Sequence, residues 1–286
     1  MPLELTYTNT DGLTGTLRQR KPFWLNKLDG TGNLSNIITS FKAPDQDGSF
    51  FIGSTLDTRE IVIEGIILAD TPEQAIIYKK ELLRLFTPKK AGMLAVNGLQ
   101  IGCVVKDVVL SVSSKQRVPN FLITLLCPSP FFEALYDLRV ELAQWQNLFH
   151  FQLTIPNGEG IQLGARQPSQ ILTVINAGDV ETGMEVVFSA LNTVVNPELM
   201  NLGTNDYIRI NTTMQAGQKI HVYTGFAQKH VTSILNSNHS NAFSLLDVGS
   251  TFLQLSTGTN ILRYDAVDGL EQLEVTLYYR PRFLGA

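Results

Sequence analysis

The sequence is short of the groups that most chemistry requires. Its 286 residues hold only two cysteines, four histidines and two tryptophans. Cys103 and Cys127 lie in apolar, strand-like stretches without metal-ligand spacing, which excludes a cysteine-rich zinc module and a disulfide scaffold. They read as buried free thiols, with a disulfide between them left open. His150, His221, His230 and His239 are scattered, and each reads as a strand-face or loop residue. Charged residues make up 17% of the chain and the net charge is −4, so there is no dense cationic surface to grip phosphates. The short basic runs, Arg18 to Lys21 and Lys89-Lys90, read as solvated surface. No apolar run approaches the ~20 residues that span a bilayer. A signal-peptide pattern is also missing at the N-terminus, so no membrane association is expected.

Catalytic motifs are equally scarce. The chain contains no phosphate-binding loop, nucleophile elbow, His-Glu-x-x-His helix or dinucleotide-binding glycine fingerprint. Asp45 to Gly48 has the composition of a calcium loop, but the glycine comes too early and Leu56 stands where the closing Glu belongs. Asp179 and Glu181 are close enough in sequence to suggest a pair of glycosidase carboxylates, yet they lie in a turn where Asp shapes the backbone. The expectation is a protein that is not an enzyme and takes no cofactor or metal.

What is present is patterned for β structure around one helix. Thr71, Pro72 and Gln74 form a helix start with capping-box spacing, and Pro88 forms its stop. Ala75, Tyr78, Leu82, Leu85 and Phe86 fall on one side at helical spacing. Ahead of this helix a strand runs from Arg59 to Leu68, with Ile61, Ile63 and Ile67 on one face. Beyond it a strand pair turns at Asn97-Gly98, and Phe121 to Cys127 completes the sheet. The apolar phase changes at Lys106-Asp107, which predicts a bulge there. Nearer the N-terminus a strand is expected at Leu3 to Tyr7. A hairpin is expected with Ile37 to Phe41 facing Ser49 to Ile52 across Asp47-Gly48.

Glu133 to Trp145 is compatible with either a strand or a short helix, whereas Phe149 to Ile155 alternates as a half-buried strand. The remainder is expected to be short strands at Leu172–Ile175, Glu185–Phe188, Tyr207–Ile210, Lys219–Tyr223, Phe243–Leu246, Phe252–Leu255, Ile261–Tyr264 and Leu273–Arg280. Strands at such spacing, with turn signals between them, predict a sandwich or jelly roll. The length favours two domains. The boundaries expected are 1–135 for an N-terminal α+β domain and 136–286 for the β-sandwich, which includes a junction at 136–169.

Two separated sets of residues resemble one family, the siphophage distal tail proteins. The first set is Arg59-Glu60-Ile61 through Gly65, the helix, the glycine-bearing strand pair and Cys127-Pro128-Ser129-Pro130-Phe131-Phe132. The second is Asn176 to Gly183, Asn196-Pro197, Asn201, the Gly217 turn leading to Ile220–Tyr223, Phe243 to Leu246, Gly258 to Ile261 and Tyr278 to Phe283. Where the family ending carries a Trp before the arginine, this chain has Tyr279-Arg280.

The resemblance implies a mainly β protein, a belt domain of β-sheet with one helix followed by a galectin-like or carbohydrate-binding-module-like sandwich. It also implies a hexameric ring in the virion at the tail tip, after synthesis in the bacterial cytoplasm. The implied partners are further copies of the chain, the tail tube protein, the tail-associated hub and a receptor-binding protein. DNA would pass through the lumen without specific binding, in keeping with the mild acidity. A ring subunit of this kind is expected to expose strand edges that its neighbour covers. The candidate for that contact is the hairpin bearing Ile38, Phe41, Lys42, Phe50 and Phe51. The alternative function is carbohydrate binding through the sandwich, with Tyr207, Tyr223 and Tyr264 as the available sugar platforms.

Overall fold

The computed structural model describes residues 3–111, 118–142, 145–147, 164–166 and 170–286. His150 and the strand expected from Phe149 to Ile155 lie outside them. The chain divides into two units: the residues up to Leu135 together with Arg282–Ala286, and Tyr136–Pro281.

The first unit contains β1 (Glu4–Asn9), β2 (Thr14–Arg18), β3 (Phe23–Asp29), β4 (Asn36–Phe41), β5 (Phe50–Leu56) and β6 (Arg59–Ile67). These are followed by α1 (Pro72–Leu85), β7 (Ala91–Val96), β8 (Leu99–Ser111), β9 (Asn120–Cys127) and β10 (Phe132–Ala134). The helix begins as its residues dictate. Thr71 Oγ1 accepts from the Gln74 amide at 3.3 Å, and Pro72 occupies the first helical position. The reciprocal arm differs from a capping box, because the Gln74 side-chain oxygen accepts from the Asp70 amide at 3.1 Å. At the other end the Asn9 side-chain amide donates to the Arg84 and Leu85 carbonyls. Leu82, Leu85 and Phe86 are buried against the sheet, and the Phe86 ring stacks on Tyr7 at 4.4 Å. The close approach needs Gly15, where a Cβ would lie 2.3 Å from Leu85 Cδ2.

The strand edges of this unit differ from the sequence-based expectation. Neighbouring strands run β8-β7-β1-β2-β3-β6-β9, and β9 pairs back onto β8, so the sheet closes into a barrel. Closure is possible because β8 is long and bends. Residues 99–104 pair with β7, and the half from Val104 onward pairs with β9. The register shifts between Val105 and Asp107, at the bulge that the change of apolar phase predicts. A barrel has no free edge for a neighbour to cover. The Asn97-Gly98 turn lies as expected, with φ of +51° and +81°. The only other strands of the described unit are the edge pair of β10 with Arg282–Phe283, and the separate ribbon of β4 with β5.

The second unit contains β11 (Leu138–Glu141), β12 (Trp145–Asn147), β13 (Gly164–Arg166), β14 (Ile171–Asn176), β15 (Met184–Ala190), β16 (Val194–Asn201), β17 (Tyr207–Arg209) and β18 (Thr213–Met214). It continues with β19 (Lys219–Tyr223), β20 (His230–Leu235), β21 (Asn238–Asn241), β22 (Gly258–Asp268) and β23 (Leu273–Tyr279). One sheet has the order β11-β23-β15-β19-β20-β21 and the other β14-β22-β16-β17, with β18 beside β16. Val186, Phe188, Ile220 and Leu277 of the first meet Leu199, Ile208 and Leu262 of the second in one core, which makes the unit a sandwich.

Two expected strands are absent, and one segment left open by the sequence is settled. Phe243–Leu245 is a 3-10 turn, and Leu255 makes only an isolated bridge with Thr182, so neither expected strand forms. Glu133 to Trp145 contributes strands and no helix within its described residues. Finally, β16 is an inner strand although it carries Pro197, a residue that sequence patterns place at edges. The strand β24 (Arg282–Phe283) then returns the chain to β10 of the first unit.

Candidate assembly surface

The β4–β5 ribbon leaves six large apolar residues exposed on one short element. Its strands pair only with each other, with Phe41 opposite Phe50 and Ser40 opposite Phe51. Ile37, Ile38, Phe41, Phe50, Phe51 and Ile52 are between 52% and 68% exposed. Side chains alternate faces along a strand, so consecutive Phe50 and Phe51 point to opposite sides, as do Ile37 and Ile38. Both faces of the ribbon are therefore apolar, and neither is covered. A two-stranded ribbon on its own is marginal in water. Lys42 continues β4 as an exposed cation toward the turn, where Asp45 and Gly48 take positive φ. The base is fixed by the Asp57 amide donating to the Ser35 carbonyl at 2.9 Å.

Just beyond the ribbon, Arg59 opens β6 with its guanidinium buried and only 3% of the residue exposed. Nε donates to the Pro130 carbonyl at 2.8 Å, Nη1 to Gly30 and Thr31 at 2.8 Å each, and Nη2 to Leu284 at 2.6 Å. The charge stands 5.0 Å over the Phe132 ring. Burial pulls the Arg59 pKa down from its ordinary value. This one side chain joins the loop after β3, the Pro128-Ser129-Pro130 exit and the C-terminal end of the chain. In the sequence it is visible only as a charge at the head of an apolar strand.

The three tyrosines do not make a sugar platform. Tyr264 is 2% exposed and belongs to the sandwich core, so its ring is closed to a ligand. Tyr207 and Tyr223 lie in different sheets, on β17 and β19. The Tyr207 hydroxyl donates to Asp247 Oδ2 at 3.0 Å while Arg209 covers its ring at 5.1 Å. Tyr223 stacks on His230 at 4.0 Å, and burial together with Glu185 pushes its hydroxyl up to about 12. His221 Nδ1 donates to Glu185 Oε1 at 2.6 Å, and this bond holds the Glu185 carboxyl below the usual range.

The remaining motif residues shape the backbone. Asn176 donates to the carbonyls of Val180 and Leu255 at 3.0 Å each and accepts from the Gly178 amide, fixing the turn that carries Asp179 and Glu181. Both acids are exposed at that turn. Tyr279 is buried and its hydroxyl donates to the Ile175 carbonyl at 2.9 Å. Arg280 reaches Asp137 with two nitrogens. Among the described residues no cluster of three metal-type ligands occurs. No described helix is long and apolar enough to cross a membrane.

Residues 10–127 match the family model for the phage tail protein RIFT-related domain. Residues 177–283 match that of the siphovirus-type tail component, C-terminal domain. Among solved structures the chain is similar to the phage SPP1 Dit protein (gp 19.1), named as a paradigm of the hub adsorption apparatus in phages infecting Gram-positive hosts. That likeness has a TM-score of 0.69 at 13% identity and covers 98% of this chain and 99% of that one. A chain of the phage P2 baseplate in its activated conformation with Ca matches over 100% of both chains, with a TM-score of 0.53 and 10% identity. Its strontium counterpart gives 0.52 and 9%, again over 100% of both chains. No curated protein sequence matches the chain.

Proposed function

Because this chain belongs to the siphophage distal tail protein family, we propose that it forms a hexameric ring at the tail tip, joining the tail tube to the hub. Its role in the tail is structural. The observation that carries the ring is the two-sided β4–β5 ribbon. Apolar faces of this size on an otherwise ordinary surface mark a site of association. The barrel offers no open edge, so the ribbon, with its unpaired outer edges and its exposed phenylalanines, is the element by which one copy reaches the next. A heterologous contact of this kind closes into a ring when its rotation allows.

The hub and the tube lie on opposite faces of the ring in this reading, and the sandwich serves the receptor-binding machinery. Synthesis takes place in the host cytoplasm and the assembled protein resides in the virion. With a net charge of −4 the lumen lets DNA slide through without a grip. Carbohydrate binding by Tyr207, Tyr223 and Tyr264 loses its support, since one ring is buried and the other two lie on separate sheets.

Native mass spectrometry and negative-stain microscopy of the purified chain, alone and with tube protein, test the proposal. Sixfold rings are expected. A chain that stays monomeric at high concentration even with tube protein present overturns it.

A further inference from the structure

A ring of identical copies joined head to tail needs two different patches on each copy, one that reaches and one that receives. The β4–β5 ribbon reaches. A surface able to receive it lies on the outer wall of the barrel, where β1, β7 and β8 run side by side. There Thr8 pairs with Met93, and Met93 with Gly102. The adjoining Tyr7, Leu94 and Cys103 are buried, so the row Thr8-Met93-Gly102 faces outward. Gly102 has no side chain and leaves a notch beside Met93. A groove of about 530 Å³ opens over this row, bounded also by Ala91, Val104 and Ser129.

Groove and ribbon match in chemistry. Asn36–Phe41 and Phe50–Leu56 contain no charged residue, and none of the described residues that line the groove is charged. The centres of protein interfaces are depleted of charge in the same way. The outer face of α1 differs, because its exposed Ile76, Ile77 and Leu83 stand among Glu73, Lys80, Glu81 and Arg84. An uncharged ribbon laid there would strip water from those ions without pairing them. The margins complement each other as well. Asn9 is shared between the groove and a hollow lined by Asp11, Arg84 and Lys90, with Lys89 next along the chain. Lys90 is paired with Asp11, so the excess charge of this margin is positive. On the ribbon, Phe41 and Phe50 adjoin a turn whose exposed Asp45 and Asp47 outnumber Lys42. The order is thus the same on both sides, aromatics beside acids on the ribbon and groove beside cations on the barrel.

The two patches also occupy different sectors of the barrel. The ribbon springs from between β3 and β6. From β6, β7 is reached through β9 and β8 in one direction and through β3, β2 and β1 in the other. We propose that the groove over Thr8, Met93 and Gly102 receives the Phe50–Phe51 end of the ribbon from the next copy of the chain. The assignment rests on the ring reading above and supplies the second patch which that ring requires.

Gly102→Trp fills the notch from outside. Within 4 Å a Cβ at Gly102 meets only Met93 Sδ, at 3.8 Å, so the barrel accommodates the change. The variant is expected to unfold at the wild-type temperature as a monomer and to give no rings in native mass spectrometry with tube protein. Gly102→Ala, and Ile76→Glu combined with Ile77→Glu, should keep the rings. In a second measurement p-benzoylphenylalanine replaces Phe51, and rings assembled from isotope-labelled and unlabelled chains are irradiated. The expected photoproduct joins position 51 of one copy to a peptide containing Met93 or Gly102 of another. Rings from a folded Gly102→Trp chain, or photoproducts that reach α1 in place of the groove, overturn the groove assignment and leave the ring reading standing. A wild-type chain that forms no rings with tube protein overturns both. The photoproduct decides the matter even if the tryptophan variant does not fold.

Discussion

A single buried cation holds three distant segments of the first unit together. Arg59 donates to carbonyls of Gly30, Thr31, Pro130 and Leu284. Hydrogen bonds from a charged donor contribute about 1.5–3 kcal/mol each, and buried carbonyls left without a donor add a desolvation cost. Arg59→Met keeps the length of the stem and removes every donor. It should lower unfolding stability by at least about 3 kcal/mol in a urea titration; a loss below about 1 kcal/mol would show that water replaces the guanidinium. In the second unit, Glu185 gives a pH signature. Its folded pKa is lowered mainly by the His221 hydrogen bond, with Tyr223 adding to the effect and burial opposing it. A carboxyl with a depressed folded pKa stabilises the protein above its unfolded value of about 4.3, and that stabilisation is lost as pH falls through the folded value. Glu185→Gln should therefore flatten the acid side of the unfolding-temperature profile. An identical acid limb in the variant would rule the assignment out.

Among the elements, the β4–β5 ribbon and α1 contrast in what stabilises them. The helix has a side-chain cap at each end, a proline at its first position and a buried stripe, so local pattern and packing agree. The ribbon has strong β-forming residues and a turn, yet it pairs with no other described strand. The double change Phe50→Ser with Phe51→Ser strips an aromatic from each face. Since both are exposed, monomer stability should move by no more than about 0.5 kcal/mol. Ring assembly should be lost in native mass spectrometry. Rings that persist in the double variant would place the contact elsewhere, and the exposed Ile76, Ile77 and Leu83 of α1 would then be the next surface to change. The β20–β21 hairpin illustrates a different kind of element. It was not anticipated from hydrophobic pattern because Asn238–Asn241 is polar and exposed throughout. Its signal was the Asn236-Ser237 pair, whose φ values of +49° and +64° make the tight turn.

At the scale of the molecule, the first unit is completed by residues from the far end of the chain. Arg282–Phe283 pairs with β10, and the Ala286 amide donates to the Thr31 carbonyl at 3.3 Å. Ending the chain at Pro281 removes the partner of β10 and one carbonyl of Arg59. Amide exchange should then accelerate in β6, β8 and β10 while β15, β19 and β23 keep their protection. Unchanged exchange in β10 would mean that the returning segment is ornamental to the unit's stability.

Much of this architecture was legible from residue patterns. The helix between Thr71 and Pro88, the β8 bulge, the Asn97-Gly98 turn, the ribbon and most sandwich strands follow from spacing, caps and turn residues. These are local rules, and each is set by neighbours within a few positions. Three features followed from no local rule: the closing of the sheet through β8 and β9, the return of the C-terminus to Arg59, and the depth of Tyr264. Periodicity tells which side of a strand meets a core, but it says nothing of which strand lies alongside. Two sides of a bent β8 can serve two partners only once β7 and β9 have arrived from opposite directions. Local sequence therefore determined the pieces and the family order of the motifs, while tertiary packing decided that the barrel strands pair around to β9 on β8 and left the β4–β5 ribbon paired only with itself.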